Sequence, residues 1–133
     1  MFTGGEEIDW SALLDWYLSV FRLIEDFDSC QVVVDPMLSG TTEANLVGAE
    51  LLAGLTRDAE LWLLSHPCPE PWNGEHMVAI VHTYMAIGTL IVDAEGDPDR
   101  VDEVEMKELI GEAALMVQEV KDLVARLIVA IRL

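Results

Sequence analysis

The most apolar window of this chain runs from Met77 to Val92, interrupted by His82, Thr83 and Thr89 and bounded by Glu75 and Asp93. It falls short of the roughly 20 residues that span a bilayer. A helix that is apolar almost all round needs cover on more than one side. Met77, Val78, Ile80, Val81, Tyr84, Met85, Ile87, Leu90, Ile91 and Val92 occupy every flank of this segment. The remaining sequence must therefore supply several packing partners for it.

It supplies them as helices. Between about Glu6 and Asp28, residues Trp10, Leu13, Leu14, Tyr17, Val20, Phe21, Ile24 and Phe27 recur at helical spacing, with Asp15, Ser19, Arg22 and Asp26 opposite. Thr41 or Thr42 is a good N-cap for a second helix reaching about Ser65. The apolar window is the core of a third helix, from after Asn73 to about Glu95. Asp97 and Pro98 read as N-cap and first residue of a fourth, which runs toward Leu133 with a break expected near Gly111. Between the first two helices, Val32-Val33-Val34 could form an extended strap before the turn signals Asp35-Pro36 and Ser39-Gly40. Between the second and third, Pro67, Pro69 and Pro71 bar a helix and favour a strap, with Trp72 folding back over the core.

This pattern predicts an all-α fold: a single domain over residues 1–133, an antiparallel four-helix bundle with a Pro-rich strap between helices 2 and 3. Helix three and the end of helix four carry more apolar surface than one bundle needs. That surplus predicts a homodimer.

Charge narrows the partner class. The formal net charge is −18, from 7 Lys+Arg against 25 Asp+Glu, on a chain that is 52% hydrophobic. Such a chain is too apolar for an acidic disordered tail. It lacks the clustered cations that direct nucleic-acid binding requires, and anionic lipid would repel it. No Lys precedes Lys107, and nothing basic lies between Arg57 and Arg100. The N-terminus has no basic-then-apolar signal pattern, and two cysteines, Cys30 and Cys68, imply no disulfide framework. A cytoplasmic location is the expectation.

Sites for chemistry are sparse. Glu75, His82 and Asp93 fall along one stripe of helix three and form the candidate metal site, but the Glu-x-x-His motif of bundle di-iron proteins is absent. His66, Cys68, His76 and Cys30 match no zinc-module spacing. The acidic run from Asp93 to Glu105 fails the calcium-loop pattern, because Pro98 and Val104 stand where Gly and a carboxylate are needed. There is no Gly-x-Ser-x-Gly and no phosphate loop.

No cofactor is implied. The expectation is a small, acidic, non-enzymatic interaction module: an inhibitor, an antitoxin-like protein or a DNA mimic that binds a basic protein partner. Glu103, Glu105, Glu108, Glu112 and Glu119 on helix four are the candidate partner-binding face. The alternatives are a metal-binding helical-bundle enzyme or carrier using Glu75, His82 and Asp93, and a bundle holding a small apolar ligand between its helices, which requires a pocket.

Overall fold

A computed structural model describes residues 9–30, 33, 38–69 and 74–132. It contains α1 (Trp10–Asp28), α2 (Thr42–Ser65), α3 (Glu75–Asp93), a 3-10 turn at Pro98–Arg100 and α4 (Glu103–Arg132), with no strand among the described residues. The chain is an all-α four-helix bundle.

Each helix starts where local chemistry can satisfy its free N–H groups. Asp9 accepts from the Ala12 N–H at 2.9 Å to cap α1, and Thr41 accepts from the Ala44 N–H at 3.1 Å to cap α2. Gly74 precedes α3 in the left-handed region, with φ +67°, and offers no side-chain cap. A Cβ there would meet the Trp16 ring at 2.5 Å, so glycine is required on two counts.

The start of α4 departs from expectation. Asp97 caps only the 3-10 turn, and Val101 returns to an extended conformation at φ −81°, ψ 133°. Val101 packs against the core, which holds the chain out of the helix. The helix then begins behind Asp102, whose carboxylate accepts from the Glu105 N–H at 3.1 Å. The break expected near Gly111 is also absent: α4 is continuous from Glu103 to Arg132. An exposed glycine weakens a helix by about 1 kcal/mol relative to alanine, too little to break one supported by packing on its other face.

The core is built from one stripe of each helix. In α1 it is Leu13, Trp16, Tyr17, Val20, Ile24 and Phe27, at alternating three- and four-residue steps. In α4 it is Met106, Ala113, Val117, Val120, Val124 and Leu127. The buried stripe of α2 is mostly small or polar: Asn45, Ala49, Leu52, Thr56, Ala59 and Leu63. Small residues let α3 approach closely. A Cβ added to the buried Gly88 of α3 would lie 3.4 Å from the Ala49 carbonyl. Helix α3 buries Met77, Ile80, Val81, Tyr84, Ile87, Gly88 and Ile91 against its neighbours. By length and composition alone α3 could cross a membrane, and here its apolar residues form the centre of the bundle.

The apolar surplus assigned to helix three is thus covered largely within one chain. None of the exposed large apolar residues lies on α3. Trp10 and Leu18 are on α1, Val47, Leu51, Leu61 and Leu64 on α2, and Val104, Leu115, Val129 and Ile131 on α4. The surplus expected at the end of helix four does reach the surface, through Val129 and Ile131. Of the valine segment expected to be extended only Val33 is described, and it is helical, its N–H donating to the Cys30 carbonyl at 3.0 Å, and half-buried against the core; Val32, Val34 and Trp72 lie outside the described residues, as does part of the Pro-rich strap.

Candidate functional site

Four places hold groups with chemical potential, and the helices decide which come together. The first is an acidic flank of α4. At 100° per residue, Glu105, Glu108, Glu112 and Glu119 fall within about 60° of arc, beside the buried stripe. All four are exposed, and Leu115, also exposed, borders them. Glu103 belongs elsewhere: its carboxylate turns to Lys107 at 2.9 Å. The candidate partner-binding set therefore divides into a four-carboxylate face and one ion-paired residue on the opposite side of the helix.

The second place is the stripe of α3 read as a metal site. His82 Nε2 lies 2.7 Å from Glu60 Oε2 of α2. Helix rise separates Glu75 from His82 by about 10 Å and His82 from Asp93 by about 16 Å. Among the described residues no three His, Cys, Asp or Glu side chains gather closely enough to hold an ion. The nearest cooperating carboxylate to His82 is thus one on a neighbouring helix that spacing within α3 could not reveal.

The third is an aromatic cluster around the start of α3. The Tyr17 hydroxyl and His76 Nε2 are hydrogen-bonded at 2.8 Å, with their rings stacked. Trp16 meets Tyr17 edge-on and donates its indole N–H to the His66 carbonyl at 2.7 Å. Trp62 stacks on His66 with ring centroids 4.3 Å apart. Burial, and secondarily a negative Cys68, pushes Tyr17 up to about 12. Burial lowers His76 below the usual histidine range, although the charge of Glu119 opposes the shift. Burial also raises both thiols, and Asp26 and Asp28 raise Cys30 further. Neither cysteine is activated as a thiolate. His66, Cys68, His76 and Cys30 do not assemble into a zinc site, since both histidines are engaged: His66 Nδ1 lies 2.9 Å from the Trp62 carbonyl.

The fourth is a cleft of about 430 Å³ where α1, α3 and α4 meet. Ile87, Ile110 and Val117 line its apolar side, and Ala113 and Ala114 leave the space open. Tyr84, Asp28, Gln118 and Lys121 supply its polar groups. The Tyr84 hydroxyl donates to Asp28 Oδ1 at 2.6 Å. Burial first, then that hydrogen bond and the Asp28 charge, push Tyr84 above the usual tyrosine range. Sequence reasoning missed this site. The available signals were a tyrosine within an apolar helix, whose hydroxyl needs a partner when buried, and the adjacent alanines in helix four.

No family model, curated protein or solved structure matches this chain.

Proposed function

We propose that this protein is a small acidic interaction module, acting without catalysis, that docks a basic protein partner on the acidic flank of α4. The observation that carries the reading is the alignment of Glu105, Glu108, Glu112 and Glu119 beside the exposed Leu115. A row of carboxylates steers a basic partner by charge, and the adjoining apolar side chain gives it a place to anchor. The net charge of −18 extends the same field over the rest of the surface. Two shifted-up thiols and a histidine committed to Glu60 offer little to a catalytic reading.

The test is capture of basic proteins from host lysate at low and at high salt. The wild-type chain should retain a basic partner at low salt and release it at high salt. A variant carrying Glu105→Gln, Glu108→Gln, Glu112→Gln and Glu119→Gln should lose it at both. Equal capture by both chains would remove α4 from the interface.

A second reading concerns self-association. Val47, Leu51 and Leu61 of α2 are 62%, 57% and 56% exposed and share the side opposite its buried stripe. We propose this stripe as the contact of a homodimer, in place of helix three. Light scattering over a concentration series should show a dimer that Leu51→Glu dissociates. A wild-type monomer throughout would refute it.

A further inference from the structure

The cleft between α1, α3 and α4 combines features that the acidic face does not use. Its volume of about 430 Å³ lies within the range of small-molecule sites, about 300–1,000 Å³. The cleft faces a different flank of α4 from the acidic face: Ala114, Gln118 and Lys121 lie about 80–180° around the helix from Glu105, Glu108, Glu112 and Glu119.

Its two charged groups are of opposite sign and do not meet. Asp28 is held by the Tyr84 hydroxyl, and Lys121 enters no ion pair among the described residues. Arg22, Arg57, Arg126 and Arg132 likewise enter none there, and what sets Lys121 apart is its place in the lining of the cleft. Asp28 also ends α1, where the helix dipole adds negative potential and no basic residue occupies the last turn. The α1 side of the cleft thus suits a cation, and the α4 side, at Lys121, suits an anion. Between them the apolar side chains of Ile110 and Val117 suit a hydrocarbon body.

We propose that this cleft binds a small zwitterion with an apolar side chain, the chemistry of a free apolar amino acid. The ammonium group pairs with Asp28, the carboxylate with Lys121, and the side chain packs over Ile110 and Val117. Whole-protein charge supports a zwitterion over a simple anion, which the net −18 would repel; a zwitterion meets no net repulsion. A simple amine would leave Lys121 without a counter-charge. Tyr84 acts as a positioning residue, fixing the Asp28 carboxylate at the mouth.

The experiment is titration of the full chain with L-phenylalanine and L-leucine, followed by backbone amide shifts and by thermal stability. Three further probes are N-acetyl-L-phenylalanine, phenethylamine and glycine. The two amino acids should bind saturably and shift amides of residues 110–121. Loss of the ammonium, the carboxylate or the side chain should each weaken binding at least about tenfold, the scale of one charge-assisted contact. Lys121→Gln should weaken the amino acids and leave phenethylamine unaffected or improved. Asp28→Asn, which keeps an acceptor for Tyr84, should weaken the amino acids and spare N-acetyl-L-phenylalanine. Ala114→Phe, at an exposed helical position, should fill the cleft and abolish binding. No saturable response to either amino acid, or equal binding of the N-acetyl or amine probe, would overturn the proposal. So would full binding by folded Ala114→Phe protein.

Discussion

Tyr84 of α3 and Asp28, the last residue of α1, are joined by a 2.6 Å hydrogen bond across 56 residues of sequence. The tyrosine is buried and the carboxylate is exposed, so the bond runs from the core outward to the surface. It ties the end of one helix to the middle of another, and it also forms the polar wall of the cleft.

Tyr84→Phe tests the bond. Hydrogen bonds to charged groups are worth about 1.5–3 kcal/mol, and exposure of Asp28 places this one at the lower end. Urea denaturation should show a loss of about 1–2 kcal/mol with an unchanged slope. A loss below about 0.3 kcal/mol would mean that water replaces Asp28 at no cost.

Alkaline pH should destabilise the fold through both tyrosines. Unfolded tyrosine titrates near pH 10. Burial pushes Tyr17 up to about 12, and burial with Asp28 raises Tyr84 as well. A raised folded value means that the stability is fully present below pH 10 or so and is lost as pH rises toward the folded values. Absorbance titration should show little tyrosinate in the native protein at about pH 10.5, and full titration near 10 in denaturant. Tyr17→Phe should flatten the alkaline fall.

Acid should act through His76 in the opposite direction. Its value is lowered, chiefly by burial, so the unfolded chain takes up the proton first. The stabilising difference is present above about pH 6.5 and is lost as pH falls below it. His76→Gln, which can still hydrogen-bond Tyr17, should reduce the pH dependence just below neutrality. An NMR titration showing His76 protonated at or above pH 6.5 or so would contradict this.

Asn45 should be among the costliest polar residues to remove. It is 5% exposed, and its side-chain amide donates to the Leu38 and Gly96 carbonyls, each at 3.1 Å. These bonds join the start of α2 to the turn after α3. Asn45→Ala leaves buried acceptors unpaired and should cost about 2–3 kcal/mol in denaturant melts. Gly96→Ala should be comparably damaging, since φ is +78° and a Cβ would collide with the Thr42 carbonyl and the Leu46 N–H. Gly111→Ala, with open space at the same atom, should instead stabilise by about 0.5–1 kcal/mol.

Salt should stabilise this protein. The described residues hold three ion pairs, at His82–Glu60, Arg100–Glu95 and Lys107–Glu103, against a net charge of −18. Most of the charge interaction is therefore repulsion, which ions screen. The melting temperature should rise from low to physiological ionic strength, and a fall would show that the attractive pairs dominate.

The sequence by itself determined the helical class, the four helices seen among the described residues and the start of α2 at Thr41 or Thr42, because periodicity and capping act within a few residues. It also showed that α3 needs cover on more than one side, and assigned part of that cover to a second copy where the bundle itself supplies it. It misplaced the start of α4: Asp97-Pro98 is a sound local cap, but it caps only a 3-10 turn, and the extended, half-buried Val101 separates that turn from the helix. Only the tertiary structure decided which side chains meet. Tyr84 finds Asp28, Tyr17 finds His76 and His82 finds Glu60 because helix rotation and register place them there. Those are set by packing of the whole core, through the small residues Ala49 and Gly88 among others. The cleft has the same origin: Ala113 and Ala114 are ordinary helix formers in sequence, and become a site only where α1, α3 and α4 converge around them.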